Sequence, residues 1–170
     1  MGSVLTKSRL EKLLEIRPPL IESMPSPDLQ IQENGIELTV REVRKWIGPG
    51  AISLENSERK LAGTERLEFD EYGWIEIGPG SYKIVYNEIV SLPKDIIALG
   101  RPRSSLLRSG ATIASAVWDA GYSGRGEGLL IVFNPNGMRL QKDARVLQLL
   151  FFQLTEEVEK GYQGLYQGRV

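Results

Sequence analysis

The sequence predicts a mainly β domain, a sandwich, jelly roll or barrel, on three observations. Short runs rich in β-branched and aromatic residues recur along the chain. Gly, Pro, Asn and Ser clusters punctuate them. The 170 residues suit one domain (1–170) with a single substantial core.

In chain order, residues 6–16 read as a short helix. Leu10, Leu13 and Leu14 form its apolar stripe, Ser8 with Glu11 fits a capping box, and Pro18-Pro19 end it. The stretch Met24-Pro25-Ser26-Pro27-Asp28 reads as turns leading into a strand from Ile31 to Val40. Further strands are expected at Trp74–Ile77, Tyr82–Tyr86, Ala111–Trp118, Leu129–Phe133 and Val146–Leu154. Gly78-Pro79-Gly80, Ser123-Gly124 and Asn134-Pro135-Asn136-Gly137 mark turns between them. A helical turn interrupts the strands near residues 102–108.

Composition narrows the chemistry. Of all residues, 41% are hydrophobic and 25% charged, as in a soluble globular chain. Lys plus Arg number 21 against 22 Asp plus Glu, so no overall field draws the chain to nucleic acid. Cysteine and histidine are absent. That excludes disulfides, Cys-ligated metal centres and the commonest general base. A catalyst built here works with carboxylates, hydroxyls, Arg, Lys, Tyr and a hard cation held by oxygen ligands. No apolar run approaches the ~18–20 residues of a membrane span, and no signal-type segment opens the sequence. The expectation is a cytoplasmic protein without membrane or nucleic-acid partners.

Two stretches carry chemistry. Arg103-Ser104-Ser105-Leu106-Leu107-Arg108 sets two hydroxyls between two guanidiniums at the start of a helical turn, a donor set that suits a polyphosphate. Residue types alone nevertheless favour a solvated basic turn. Ala116-Val117-Trp118-Asp119-Ala120-Gly121-Tyr122-Ser123-Gly124 places a carboxylate between an apolar strand and a glycine-rich turn. By itself Asp119 reads as a turn-former; the functional alternative is a carboxylate at a pocket rim, with an aromatic ring three residues on.

Together these stretches resemble the dUTPase/dCTP deaminase family. Residues 103–108 are similar to its phosphate-binding motif and 116–124 to its hairpin Gly-Val-Ile-Asp-x-x-Tyr-x-Gly. Lys142 to Leu149 resembles Gly-Asp-Arg-Ile-Ala-Gln-Leu, and Gln32 to Leu38 resembles Gln-Pro-x-Gly-Ile-Asp-Leu. Pro79 to Pro93 fits the strands between, and Tyr166-Gln167-Gly168 is similar to the tail of deaminase-like archaeal members.

The resemblance implies a jelly-roll-like distorted β-barrel assembled as a homotrimer, with each active site at a subunit boundary. It implies hydrolysis of dUTP to dUMP and pyrophosphate. Asp119 would be the catalytic residue, holding the 3′-OH and orienting the attacking water. Tyr122 would lie under the deoxyribose, and the backbone from Ile113 to Trp118, Val117 included, would read the base. Arg103, Ser104, Ser105, Arg108 and Gln148 would take the phosphates, with Mg²⁺ held mainly by those phosphates rather than by protein ligands. Residues 161–170 would be a flexible tail, closing over the triphosphate with Tyr166 as cover; Gly161, Gly164 and Gly168 supply the flexibility.

Deamination is the nearest alternative. The family's deaminases carry a Glu in Leu-Glu-Leu/Phe-x-Asn, and aligning back from Asn134 puts Ile131 there, which cannot transfer a proton. Glu127, eight residues after Asp119, is a second candidate, but its flanking glycines suggest a loose turn or bulge. Glu37 stands where Asp is usual, and Trp118 is larger than the common Ile. The tail lacks a Lys before Tyr166, which Arg169 or Lys160 would replace, and the Phe-Gly-Ser-Thr-Gly ending of hydrolase-type members is missing. The chain thus reads as a hydrolase on a deaminase-like frame. Two other classes stay open: a non-catalytic nucleotide-binding regulator, and a sugar- or protein-binding jelly roll with Trp46, Trp74 and Trp118 as platforms. Core packing is the better account of those tryptophans. Asp143 reads as a turn residue, and Glu156, Glu157 and Glu159 as a solvated face.

Overall fold

The computed structural model describes residues 3–170. Helix α1 (Lys7–Leu14) is followed by β1 (Ile21–Glu22), α2 (Pro27–Gln30), β2 (Ile31–Gln32) and β3 (Gly35–Trp46). After a 3-10 turn at Asn56–Glu58 come β4 (Thr64–Leu67), β5 (Trp74–Ile77), β6 (Gly80–Ser91) and β7 (Ile96–Pro102). Helix α3 (Ser104–Arg108) leads to β8 (Ala111–Ala114), β9 (Ser123–Val132), β10 (Met138–Gln141) and β11 (Arg145–Gln153).

The main sheet runs β7-β11-β3-β6-β9-β8, with β1 on β6 and β2 and β4 on β3; β10 and β5 form a separate ribbon. All registered pairs are antiparallel. Strand β3 changes partners along its length: its first half pairs with β11 and β2 and its second with β6 and β4, with register shifts at Arg145/Leu147 and Val40/Glu42. Such shifts bend the sheet. It curls until Ala98 of β7 exchanges two backbone hydrogen bonds with Trp118, at 2.9 and 3.0 Å, just past β8. This nearly closes a distorted barrel and leaves little free edge. Its interior alternates along the strands: Ile84, Tyr86 and Val90 of β6, and Leu147, Leu149 and Phe151 of β11, are buried.

Several expectations need correcting. The Ser8–Glu11 box does not form; the N-cap is Thr6, two residues before Ser8, the helix begins at Lys7, and Lys7 N–H donates to Glu33 O at 3.0 Å. Leu10 and Leu13 are buried and Leu14 flanks them. Residues 27–30 form a helical turn rather than open turns. Strand β8 stops at Ala114 instead of Trp118, because the chain there leaves β9 to bridge Ala98. Strand β7 and the 47–63 segment show neither alternation nor helical spacing in the sequence.

A buried polar cluster braces β3 against β6. Glu88 is fully buried and accepts hydrogen bonds from Gln30 Nε2 (2.7 Å), Thr39 Oγ1 (2.6 Å) and Thr39 N–H (3.0 Å). Burial raises its carboxyl above the ordinary 4.5, the three donors only partly opposing it. With the folded value raised, the protein binds the proton more tightly when folded. Glu88's contribution is therefore full below the unfolded value and lost as pH rises through the folded one. Glu88→Gln should flatten that decline in urea-unfolding midpoints. Glu88→Ala takes the acceptor from the Thr39 hydroxyl and N–H and from one Gln30 Nε2 proton, and should cost about 1–3 kcal/mol for each donor left unpaired. Midpoints unchanged by Glu88→Ala would dismiss the network as a stabilising element.

Candidate active site

Strand β7 ends at Pro102 and the chain turns at once into α3, presenting Arg103 beside β11. Its N–H donates to Val146 O at 3.0 Å. The side chain is held from both ends: Nε meets Glu37 Oε1 at 2.6 Å and Nη1 donates to Arg145 O at 3.2 Å. Arg145 Nη1 meets the other Glu37 oxygen at 2.8 Å and also donates to Leu29 O. Glu37 is thus a nearly buried carboxylate between two guanidiniums, which it orients and half neutralises. They face a cavity of about 380 Å³ with Ser105, Ser109 and Asp143 on its wall. Two cations against Glu37, with hydroxyls beside them, suit a phosphate chain. Arg145 was missed from the sequence, although it lies within the Lys142–Leu149 motif.

A second, larger cavity of about 620 Å³ opens where the β8–β9 hairpin diverges. Val117 and Asp119 are exposed at its rim. Trp118 turns inward instead: it is buried, and its Nε1 donates to Ser115 Oγ at 3.0 Å. A Cβ on Gly126 would come within 1.8 Å of the Trp118 ring, so the indole fills the space that glycine leaves. The large residue at 118 is therefore accommodated behind the hairpin. Tyr122 stands edge-on between Trp118 (5.6 Å) and Tyr162 (5.5 Å), and its hydroxyl donates to Arg125 O at 3.2 Å. Burial first, then the charges of Tyr162 and Glu127, push that hydroxyl up to about 12 against the pull of Arg169, so it remains a donor at neutral pH.

Glu127 does not sit in a loose turn. Strand β9 runs unbroken through it, paired with Val85, and Gly124, Gly126 and Gly128 all face the interior. The glycines are there for volume: a Cβ on Gly128 would lie 2.4 Å from the Tyr86 hydroxyl. Glu127 faces the opposite way, into the larger cavity, and Lys83 Nζ donates to its Oε1 at 2.8 Å. Ile131 shares that strand face, opposite Thr112 and Ser81. Arg125 reaches into the irregularity of β6 between Val85 and Ile89, where it donates to Tyr86 O and Asn87 O. Burial lowers its guanidinium, and its Nε has no partner among the described residues.

The last ten residues lie along the hairpin of their own chain. Tyr162 N–H donates to Ala120 O at 2.8 Å, Gly168 N–H to Ser123 O at 2.8 Å, and Gln167 bonds both Ser123 N–H and Gly121 O at 3.0 Å. Tyr162, Tyr166 and Arg169 join the cavity wall, with Arg169 5.3 Å over the Tyr166 ring. The opposite wall is the 47–63 segment with Trp46, Ile52 and Leu61, which carries no periodic pattern in the sequence. Trp46 is therefore a cavity residue rather than a core one, while Trp74 packs under Arg139. Asp143 does occupy a turn, at φ 63°, and accepts from Asn87 Nδ2 at 2.8 Å. Glu156, Glu157 and Glu159 are exposed.

Arg103 and Ser105 thus line one cavity and Val117, Asp119, Tyr122 and Tyr166 the other; the two share no lining residue. Ser104 and Arg108 are exposed and line neither. Gln148, opposite Glu37 and Arg101 in the sheet, lies outside both and donates to Asn34 O at 3.4 Å.

A family model described as dCTP deaminase-like matches residues 4–154. The chain belongs to the dCTP deaminase-like family. Within reach of this family, it is 50% identical over 165 residues to a "probable deoxyuridine 5′-triphosphate nucleotidohydrolase" of Methanococcoides burtonii, covering 97% of each chain. It is 40% identical over 143 residues to the deoxyuridine 5′-triphosphate nucleotidohydrolase of Methanocaldococcus jannaschii, covering 82% of this chain and 88% of that one. Among solved structures, the 2′-deoxycytidine 5′-triphosphate deaminase of Agrobacterium tumefaciens superposes with a TM-score of 0.66 at 20% identity. That match covers 89% of this chain and 48% of the deaminase, so this dCTP deaminase-like chain spans about half its length and shares its fold. No helix among the described residues is long and apolar enough to cross a membrane.

Proposed function

We propose that the chain hydrolyses dUTP to dUMP and pyrophosphate, acting on the cytoplasmic nucleotide pool and so limiting uracil in DNA. The observation that carries this reading is Asp119. It is an exposed carboxylate at the rim of a cavity walled by Tyr122 and Tyr166, in a chain 50% identical to a nucleotidohydrolase over nearly its whole length. Asp119 takes a proton from water as the water oxygen bonds the α-phosphorus; the α–β bridging oxygen departs with pyrophosphate. Tyr122 packs on the deoxyribose and crowds a 2′-OH, and the backbone near Val117 meets the base. Arg103, Ser104, Ser105, Arg108 and Gln148 take the phosphates, Arg103 being pre-oriented by Glu37.

Mg²⁺ fits this donor set as a substrate-borne ion. Among the described residues no group of three acidic side chains forms a protein cage, and Glu37 is already engaged by two arginines. Phosphate oxygens and water would complete its shell, and its charge would neutralise the triphosphate.

Arg103 and Ser105 line a cavity separate from that of Asp119 and Tyr122, which supports the reading that one complete site draws on two copies of the chain, as in a homotrimer. Deamination of dCTP is the second reading, favoured by Glu127 alone, the other carboxylate in Asp119's cavity. Its pairing with Lys83 and the isoleucine at 131 speak for hydrolysis.

Product analysis after incubation with dUTP or dCTP and Mg²⁺ tests the activity; intact dUTP would refute it. Mixing inactive Arg103→Ala and Asp119→Asn proteins under subunit exchange tests the assembly. Roughly a quarter of the sites would regain both residues if they come from different copies, and none would if they come from one.

A further inference from the structure

The smaller cavity, with Arg103 and Arg145 on its wall, is assembled from pieces of chain far apart in sequence. Ser26 and Leu29, Thr39 of β3, the start of α3 and the turn from Asp143 to Val146 all contribute. Two buried links hold three of these pieces from behind. In the first, Gln30 is fully buried and donates through Nε2 to Glu37 O at 2.8 Å and to Glu88 Oε1 at 2.7 Å, while its Oε1 accepts from Ser26 N–H at 2.9 Å. Glu37 is the residue whose carboxylate grips both guanidiniums, and Leu29, just before Gln30, offers Arg145 its carbonyl. In the second link, Asn87 Nδ2 donates to Thr39 Oγ1 and to Asp143 Oδ1, each at 2.8 Å. The Thr39 hydroxyl passes its own proton on to Glu88 Oε1 at 2.6 Å. Both links therefore end on Glu88 of β6, a strand that adds no residue to this cavity's wall.

The geometry points to Gln30 and Asn87, anchored on Glu88, as positioning residues that fix Arg103 and Arg145 for the phosphate chain, an inference that rests on the proposed hydrolysis of dUTP. Holding two strands together does not require a buried carboxylate, since apolar side chains do so without its desolvation cost. A buried polar network adds direction, because each member is correct in only one arrangement. Gln30 sets the Glu37 main chain and the 26–30 turn, and Asn87 sets the turn that carries Arg145 two residues beyond Asp143. None of the three residues lines either cavity, so they act through the arginines rather than on substrate. Without the links the two guanidiniums are no longer pre-ordered, and bound phosphates must order them afresh.

Calorimetric titration of dUMP and of a non-hydrolysable dUTP analogue, with Mg²⁺, into the intact protein and its variants provides the test. The two ligands differ in the β- and γ-phosphates, so the ratio of their affinities reads the phosphate end alone. The wild-type protein is expected to bind the analogue the more tightly. Gln30→Met, similar in size but without the hydrogen bonds, should lower the analogue/dUMP ratio by on the order of 10-fold. The loss in turnover should fall on KM for dUTP rather than on kcat. Asn87→Ala, at a half-buried position that the fold tolerates, should lower the ratio by about threefold and decides the matter alone if Gln30→Met does not fold. Ile84→Val trims the core side of the same strand without touching either link, so it should lower the melting temperature and leave the ratio at the wild-type value. An unchanged ratio in Asn87→Ala and in folded Gln30→Met, with dUTP hydrolysed by the wild type, overturns the inference and leaves the hydrolase reading standing. An equal fall in Ile84→Val also overturns it, reducing the network to a brace. A wild-type protein that leaves dUTP intact and binds the analogue no tighter than dUMP takes both readings down.

Discussion

Asp119→Asn is expected to lower pyrophosphate release from dUTP by about 10²–10⁴-fold, the usual contribution of a positioned carboxylate base. The substitution is nearly isosteric, and Asp119 is exposed with no ion-pair partner among the described residues, so the fold has no reason to respond. An amide can still hold the 3′-OH but cannot accept the water's proton. The loss should therefore appear in kcat, with KM for dUTP within about threefold of wild type, as for an interaction made in the transition state. A variant with undiminished kcat would remove Asp119 from the mechanism. One whose loss lay wholly in KM would recast it as a binding residue.

Removing residues 161–170 should lower kcat/KM for dUTP by about 10²-fold, the scale on which small misplacements at a reacting centre act. In this structure the tail already lies against residues 120–125 and supplies Tyr162, Tyr166 and Arg169 to the nucleoside cavity. A Cβ on Gly121 would come within 2.5 Å of Gly161 Cα, so the hairpin is shaped to let the tail pass. Truncation uncovers Tyr122 and opens the cavity to water, which weakens every charge interaction inside it. The barrel should survive with a modest fall in melting temperature, because Tyr162 and Tyr166 pack only at the edge of the core. Wild-type turnover in the truncated protein would end the proposal that the tail closes over substrate.

Where side chains alternate or punctuation is strong, the sequence was legible. Trp74–Ile77 was read residue for residue, α3 fell within the expected 102–108, and the β11 run was displaced by one residue. Asp119, Tyr122 and Tyr166, each singled out by a family motif, line one cavity. Strand β9 was read only from Leu129 because its earlier interior positions are glycines, and their missing volume is supplied by Trp118 and Tyr86 from elsewhere in the chain. No local pattern can show that. Strand β7 escaped because Ile96-Ile97-Ala98-Leu99 is an unbroken apolar run with no alternation. The 47–63 wall escaped for the opposite reason: Ile52 and Leu54 are exposed and follow no period. Arg145 and Lys83 looked like ordinary surface cations, since what distinguishes them is a carboxylate contributed by another strand.

The fit of Trp118 against Gly126 ties two positions into one heritable unit. Gly126 has an ordinary backbone conformation, so volume alone keeps a side chain out. A lineage that shrinks the indole gains room to vary at 126, whereas one that keeps it cannot add even a methyl there. The two sites should therefore drift together through descent, and a chain joining this tryptophan to a larger residue at 126 from a different ancestor would inherit a clash that neither parent had.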